Sequence, residues 1–244
     1  MVIESVMGGG PIELMSLAIQ ERHQLLSEMP LLKALTEAEL GGISLGTVEK
    51  SFEKGQVVFR EGDKADFIWF IIEGITKATL STLDGHELVV GFSQPGMVLG
   101  ELALLRGELS YTSVTVVKRC RLLGVPIGEF RKLVPKNPAF LEEYLSTVGQ
   151  RIKALASLVV DISFQPASVR VVRRLVQIAD TFRTDPDYRN EGVRIPFAQD
   201  EIAKFAGVSK ETASRVLSTY RRKGWLSSEH GQLSIINLEQ LRKV

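Results

Sequence analysis

The sequence predicts an α+β fold: an N-terminal antiparallel β-domain, a long central helix, and a small C-terminal domain of short helices and a β-hairpin. Three observations predict it. Short β-prone runs alternate with glycines over residues 51–127, which is typical of a sandwich or barrel. Apolar side chains then recur at helical spacing over residues 141–162. Residues 197–236 return to short helical and β-prone segments.

The N-terminal part combines amphipathic helix with β-structure. Residues 14–50 have a helical, amphipathic pattern, and we expect residues 1–24 to be a flexible segment. The dipeptide Asp84-Gly85 predicts a tight hairpin between two strands. The β-domain is therefore placed at residues 25–136. The predicted strands are Gln56–Arg60, Phe67–Ile72, Thr76–Leu80, Glu87–Phe92, Thr112–Val117 and Arg121–Val125.

Composition excludes several classes of protein. The chain has 244 residues and one cysteine, Cys120, which excludes an internal disulfide framework and an all-cysteine zinc or iron–sulfur site. The three histidines lack metal-ligand spacing, so we expect no metal site. No nucleophile–base pattern or phosphate loop is present, and an enzyme is not expected. Without an apolar run of ~18 residues or a basic leader, we expect no membrane span and a cytoplasmic protein.

Charge is distributed unevenly along the chain. The formal net charge is +1, but residues 164–244 carry 14 Lys and Arg against 9 Asp and Glu. A basic C-terminal part favours a polyanionic partner. Chance asymmetry is the alternative, so charge alone does not assign a partner.

The central helix, expected over residues 137–163, carries a heptad seam. Successive apolar residues are four and three positions apart, which suits a two-stranded coiled coil between two copies of the chain. A long helix buried against its own domain is the alternative. Gln165-Pro166 breaks the helix, which places a hinge at residues 163–167. The predicted dimer interface is formed by Leu141, Leu145, Val148, Ile152, Leu155, Val159 and Ile162.

Residues 199–217 predict two helices joined by a tight turn, within a C-terminal domain at residues 164–244. Gly207 supplies the left-handed turn that other residues avoid, and Ser209 is a good N-cap for the second helix. Ala203 is small enough for a close helix crossing. Apolar Ala213, Val216 and Leu217 are expected to face inward, which leaves Lys210, Glu211, Ser214 and Arg215 outward.

These outward residues have the chemistry of DNA recognition. Arg215 can donate two hydrogen bonds to guanine, and Glu211 can accept one from cytosine. Lys210 and Ser214 suit a base or a phosphate, and Ser209 is counted with them among the DNA-binding candidates. Arg221, Arg222 and Lys223 close the helix and suit phosphate contacts or the helix dipole. The segments 224–226 and 233–236, joined through His230-Gly231, predict a β-wing. The expected partner is double-stranded DNA; a helical hairpin with a solvated face, or a module that docks protein, is the alternative.

At this point the chain resembles the Crp/Fnr family over about residues 25–240. The resemblance is carried by the glycine ladder from Gly55 to Gly96, by Gly100-Glu101-Leu102-Ala103, by the heptad helix and by the segment 208–216. It implies a cyclic-nucleotide-binding-like β-roll, a dimerisation helix and a winged helix-turn-helix. It also implies a homodimer that binds an inverted repeat and recruits or obstructs RNA polymerase. Ser214 before Arg215 resembles readers of TTGAT-like half-sites.

The resemblance also raises the question of the effector. In family members that bind cyclic AMP, a glutamate holds the ribose, an arginine neutralises the phosphate and polar residues on the dimer helix contact adenine. Glu101 matches the glutamate that holds the ribose. Ser110, followed by Tyr111, takes the place of the arginine, and Leu155 and Ala156 take the places of the polar residues on the dimer helix. A buried phosphate without a cation is costly, so we expect no cyclic-AMP binding of the usual kind.

Alternatives for the sensor remain open. Arg106 is a possible substitute cation, and Glu101 could serve only to cap a short helix. Iron–sulfur sensing is not expected, because the chain has one cysteine. Cys120 and His86 are of residue types that can ligate haem, but Cys120 is expected to lie in the β core. The remaining possibilities are that the domain binds an unidentified small effector or that it binds no effector. Its expected site is formed by Gly100, Glu101, Leu102, Ser110, Tyr111 and Leu155.

Overall fold

The computed structural model describes residues 18–105, 109–182, 189–190, 192–229 and 232–244. Its contacts divide the chain into two compact units. The first contains the described residues up to Thr76 together with Ser93–Val148, and the second contains Lys77–Phe92 together with Gly149–Val244. The units divide after Val148, inside the long helix.

The chain enters the first unit through helices. α1 (Ile19–Ser27) and a 3₁₀ turn (Pro30–Leu32) lead to α2 (Glu37–Gly46). Residues 19–24, expected to be part of a flexible segment, are helical and lead to Leu26, which is fully buried in the core. Residues 1–17 lie outside the described part.

The N-terminal sheet is antiparallel, as predicted. Its order is β1-β6-β3-β4, with β2 paired to β6 and β5 paired to β3. β1 was predicted as helix in part, but residues 48–50 pair with β6 in the register Val48↔Gly124. The strands are β1 (Val48–Phe52), β2 (Val57–Phe59), β3 (Phe67–Ser81), β4 (Glu87–Ser93), β5 (Val98–Leu99) and β6 (Ser113–Pro126).

Two pairs of predicted strands are single long strands. β3 continues through Gly74, where a turn was expected, and β6 continues through residues 118–120. Gly74 has φ 92°, and a Cβ on it would lie 2.1 Å from the Arg119 carbonyl oxygen. The glycine therefore permits close approach of neighbouring backbones instead of reversing the chain.

The core of the first unit forms where the sheet meets α3 (Ile127–Leu133) and the start of α4 (Pro138–Phe164). Phe70, Phe130 and Phe140 are fully buried. The rings of Phe130 and Phe140 stack with centroids 5.7 Å apart. Asn137 accepts a hydrogen bond from the Phe140 N–H at 2.9 Å, which fixes the first turn of α4.

The second unit is helical with a small sheet. α4 ends at Phe164 and α5 (Ala167–Phe182) begins after Gln165-Pro166, so the helix break falls within the predicted hinge segment. The sheet is larger than the predicted wing, because residues 189–195, expected in part as a polar loop, add two strands in the order β7-β8-β10-β9. His230-Gly231 lies outside the described residues. The remaining elements are β7 (Arg189–Asn190), β8 (Gly192–Ile195), α6 (Gln199–Ala206), α7 (Lys210–Arg222), β9 (Leu226–Glu229), β10 (Gln232–Ile235) and α8 (Leu238–Leu241).

Within the described ranges, none of the helices combines the length and apolar character that crossing a bilayer requires.

Candidate nucleic-acid interface

The turn between α6 and α7 has the geometry that the sequence predicted. Gly207 ends α6 with φ 59° and ψ 44°, in the left-handed region. The next residue, Val208, donates its N–H to the Ala203 carbonyl at 3.1 Å, and Ala203 itself is buried. A glycine at this position allows a turn of only three residues between α6 and α7 without steric cost.

The N-terminus of α7 is capped. Ser209 has extended backbone angles, and its Oγ accepts a hydrogen bond from the Thr212 N–H at 3.2 Å. A hydrogen bond from the backbone N–H of Glu211, together with the Ser209 hydroxyl, lowers the pKa of Glu211. Glu211 is therefore ionised at neutral pH, so it acts as an acceptor in the first turn of the helix.

The two faces of α7 divide as predicted. The inward face is buried and consists of Ala213, Val216, Leu217 and Tyr220. Lys210, Glu211 and Arg215 are exposed, and Ser214 is partly exposed. The first two turns of the helix therefore present cationic, anionic and hydroxyl groups together on one open surface.

Arg221 is placed differently from its neighbours. The Nη2 of Arg221 donates a hydrogen bond to the hydroxyl of Ser218, on the same helix, at 2.9 Å, and the residue is partly buried. Arg222 and Lys223 are exposed, with the Lys223 ammonium 4.8 Å from the centroid of the Trp225 ring. The exposed cations at the end of α7 are therefore Arg222 and Lys223, while Arg221 is engaged in an intrahelical contact.

An ion-pair cluster, buried except for the half-exposed Arg173, holds α5 against the end of α4. Asp161 accepts hydrogen bonds from Arg173 at 2.5 Å and from Arg174 at 2.8 Å. Asp161 and Arg174 are both buried, and the Arg174 guanidinium lies 5.1 Å from the centroid of Phe205 on α6. Burial lowers the pKa of Arg174, and the Asp161 carboxylate opposes that shift. The cluster links α4, α5 and α6, so it orients the first helix of the pair. No motif in the sequence had pointed to it.

Three further residues were missed. Thr212 receives the hydroxyl hydrogen bond of Ser209 at 3.1 Å, and Lys204, on α6, is exposed close to the turn. A signal existed for Lys204: it lies three residues before Gly207, on the helix that precedes the turn. Arg194, on β8, is also an exposed cation. The sequence did not point to it, because the residues just before it were predicted to form a polar loop.

The predicted sensor residues differ in their burial. Gly100 adopts φ 80° and opens a 3₁₀ turn at Glu101–Leu104, in which Glu101 is buried and Leu102 packs on the core. Ser110 is buried and held by backbone hydrogen bonds to Gly62 and Asp63, each 2.8 Å long. Tyr111 is exposed instead. Arg106 lies outside the described residues.

Tyr144 joins the Glu101 segment, which the sequence did not predict. Its hydroxyl donates to the Glu101 carbonyl at 3.1 Å. Burial, and then the nearby Glu101 charge, raise the pKa of Tyr144 to about 12. Because the heptad pattern drew attention to Leu145, the adjacent tyrosine was overlooked.

The predicted seam of α4 divides into two parts. Val148 is buried and Leu141 packs partly on the core of the first unit, so these two positions contact their own chain. The other five predicted positions are between 40% and 62% exposed: Leu145, Ile152, Leu155, Val159 and Ile162.

Cys120 lies in the β core, as expected. It is 1% exposed, and burial raises its pKa to about 12, so the thiol stays protonated. Across the part of the chain that the structure describes, no three His, Cys, Asp or Glu residues come together in a way that could hold a metal ion.

Comparison with known proteins matches both parts of the chain. Residues 49–137 match the family model for the cyclic nucleotide-binding domain, and residues 169–244 match that for the Crp-like helix-turn-helix domain. The chain is 23% identical over 222 residues to a CRP-like cAMP-activated global transcriptional regulator of Mycobacterium tuberculosis, covering 90% of this chain and 98% of the relative. It is also 23% identical to the cAMP-activated global transcriptional regulator CRP of Salmonella typhimurium, covering 73% and 84%.

Solved structures share the fold. A putative Crp/Fnr-family transcriptional regulator from Eubacterium rectale superposes with a TM-score of 0.74 at 15% identity, over 89% of this chain and 98% of that one. The c-di-GMP responsive global regulator CLP of Xanthomonas campestris gives 0.70 at 20% identity, over 82% and 99%. These relatives are named as transcriptional or global regulators. With both domain models matched in the order that the sequence predicted, the chain belongs to the Crp/Fnr family of DNA-binding transcription regulators.

Proposed function

We propose that the protein regulates transcription as a homodimer that binds an inverted repeat of TTGAT-like half-sites through Lys210, Glu211, Ser214 and Arg215. The observation that carries this proposal is the exposed face of α7, capped by Ser209 and free of apolar side chains. In a helix-turn-helix the N-terminal residues of the second helix contact base edges in the major groove. Ser209, as the cap, lies where a phosphate contact is also possible.

The roles of the reading residues follow from their chemistry. Arg215 is exposed and can span guanine O6 and N7, while ionised Glu211 can accept from a cytosine amino group. Arg222 and Lys223, at the end of the helix, suit phosphates, which carry no sequence information. Because Arg221 hydrogen-bonds to Ser218, we assign it a smaller share of DNA binding than the sequence suggested.

The dimer is supported by the exposed stripe on α4. Five apolar side chains at heptad spacing stand open on one helix, which is costly unless another apolar surface covers them. A second copy of the same helix fits, because an isologous interface presents the same stripe from both sides. A two-fold pair of α7 helices would then require a two-fold DNA site.

We propose that this protein does not bind cyclic AMP in the way that is usual for the family. Ser110, at the position that the resemblance assigns to the phosphate-binding arginine, is buried and its backbone is fully engaged. From Gly107 to Val117 the sequence has no Lys or Arg. A less anionic small molecule near Glu101, or no ligand at all, fits this chemistry better. RNA polymerase is proposed as the partner on DNA.

Replacing Ile152 by aspartate should separate the dimer, because it places a charge in the centre of the apolar stripe. We expect sedimentation velocity to show a monomer for Ile152→Asp. The control is Gln150→Asp, an exposed position on the opposite side of the helix, which should remain dimeric. A wild-type protein that sediments as a monomer would contradict the dimer.

Replacing Arg215 by alanine should lower affinity for the specific site by about 1–3 kcal/mol and relax selectivity at one base pair. Arg222→Ala should instead weaken specific and random duplexes to similar extents, because a phosphate contact is independent of sequence. Fluorescence anisotropy with both duplexes distinguishes the two effects. Equal losses for Arg215→Ala on both duplexes would show that it does not read a base.

Cyclic AMP should give no binding signal in titration calorimetry. The reason is that no cationic side chain is available at the position of Ser110 to neutralise the phosphate. The cAMP-activated regulator of Mycobacterium tuberculosis, measured in parallel, is the positive control. Micromolar affinity of this chain for cyclic AMP would refute the proposal.

A further inference from the structure

The hairpin at the ends of β3 and β4 packs with the helix-turn-helix. Its residues, Lys77–Phe92, belong to the same compact unit as residues 149–244. The turn is tight: the Gly85 N–H donates to the Thr82 carbonyl at 3.0 Å, and Gly85 has φ 79°. Both strands of the hairpin send charged side chains to α6.

Two ion pairs of opposite polarity join the hairpin to α6. Lys77 on β3 pairs with Glu201, and Glu87 on β4 pairs with Lys204, with 2.6 Å between Glu87 Oε2 and Lys204 Nζ. Glu201 and Lys204 are three residues apart and therefore lie on one face of the helix. The side chains of the first pair are 14% and 30% exposed, and those of the second are 43% and 41% exposed. The first pair is thus a shielded contact, while the second is open to water.

An aromatic contact secures the base of the hairpin independently. The Phe92 ring lies 4.9 Å from both Phe197 and Phe205, measured between centroids, and 6.4 Å from Phe182. Those three partners are buried. Apolar burial of this kind does not depend on charge. The hairpin therefore stays in place if the outer ion pair opens.

Lys204 stands where DNA is expected to pass. The first helix of a helix-turn-helix crosses the phosphate backbone, and Lys204 is in its last turn. A cleft of about 640 Å³ is lined by Glu87, Lys204, Gly207 and Ser209 among others, so Glu87 borders the same cleft as the residue that caps α7. The hydrogen bond between them lowers the pKa of Glu87 and raises the pKa of Lys204, so both are charged at neutral pH.

We propose that Glu87 is an electrostatic gate on Lys204. The Glu87 carboxylate pairs with the Lys204 ammonium when DNA is absent, and a DNA phosphate replaces the carboxylate when DNA binds. The inference rests on the proposed DNA-binding role of α6 and α7. Displacement needs only a rotation of two exposed side chains, because Lys77, Glu201 and Phe92 hold the hairpin. The hairpin thereby lowers DNA affinity without covering the reading face of α7.

The test measures DNA affinity in a double-mutant cycle. Glu87→Gln is compared with Asp84→Asn, which removes the same charge from the exposed tip of the same hairpin. Both are made in the wild-type and in the Lys204→Gln background. A random-sequence duplex is the probe, because a lysine–phosphate contact needs no particular sequence. Thermal unfolding of each variant checks that the fold is retained.

We expect Glu87→Gln to tighten binding roughly twofold to fivefold more than Asp84→Asn, which is the size of an exposed ion pair. In the Lys204→Gln background the two variants should be equal, since the gated cation is gone. Equal effects in the wild-type background, or an advantage of Glu87→Gln that persists without Lys204, would overturn the gate. Failure of the wild-type protein to bind any duplex would instead overturn the DNA-binding proposal, and the gate with it.

Discussion

The left-handed backbone at Gly207 is the constraint on which the reading surface depends. It lets α7 begin after only three intervening residues, so that Ser209 can cap the helix and Ala203 can be buried. With this turn in place, the hydrophobic face of α7 determines which side is left open. The exposed set of Lys210, Glu211 and Arg215 is a consequence of burying Ala213 and Leu217, not a separate feature.

The supports around this pair of helices are of different physical kinds. Asp161 and Arg174 form a buried ion pair at the α4–α5 junction, with the exposed Arg173 beside it. Removal of one buried partner would leave an uncompensated charge. Phe92 contributes an apolar contact from the hairpin. Glu87 and Lys204 form an exposed ion pair, which contributes little stability and can therefore exchange partners. The pair that costs least to break is the one at the edge of the proposed DNA surface.

Local signals in the sequence predicted the parts that depend on local chemistry. The glycine turn, the serine cap and the inward residues of α7 could all be inferred, because each follows from spacing within a few residues. Gly74 was misinterpreted as a turn. A glycine is needed there because the backbone of Arg119, which is distant in sequence, leaves no room for a side chain. Val148 was assigned to the seam because its burial against its own core is a tertiary contact that spacing does not reveal. Tyr144 and the Asp161 cluster were missed for the same reason: their partners are supplied by other elements. Lys204 did have a local signal, its position three residues before Gly207.

Selection from a random-duplex library tests the central claim most directly, because it asks which DNA the protein chooses without assuming a site. We expect enrichment of an inverted repeat of TTGAT-like half-sites with centres about one helical turn, ~10 base pairs, apart. That symmetry would follow from a two-fold pair of α7 helices. Enrichment of unpaired half-sites, or no enrichment over the starting library, would contradict a dimeric, sequence-specific regulator.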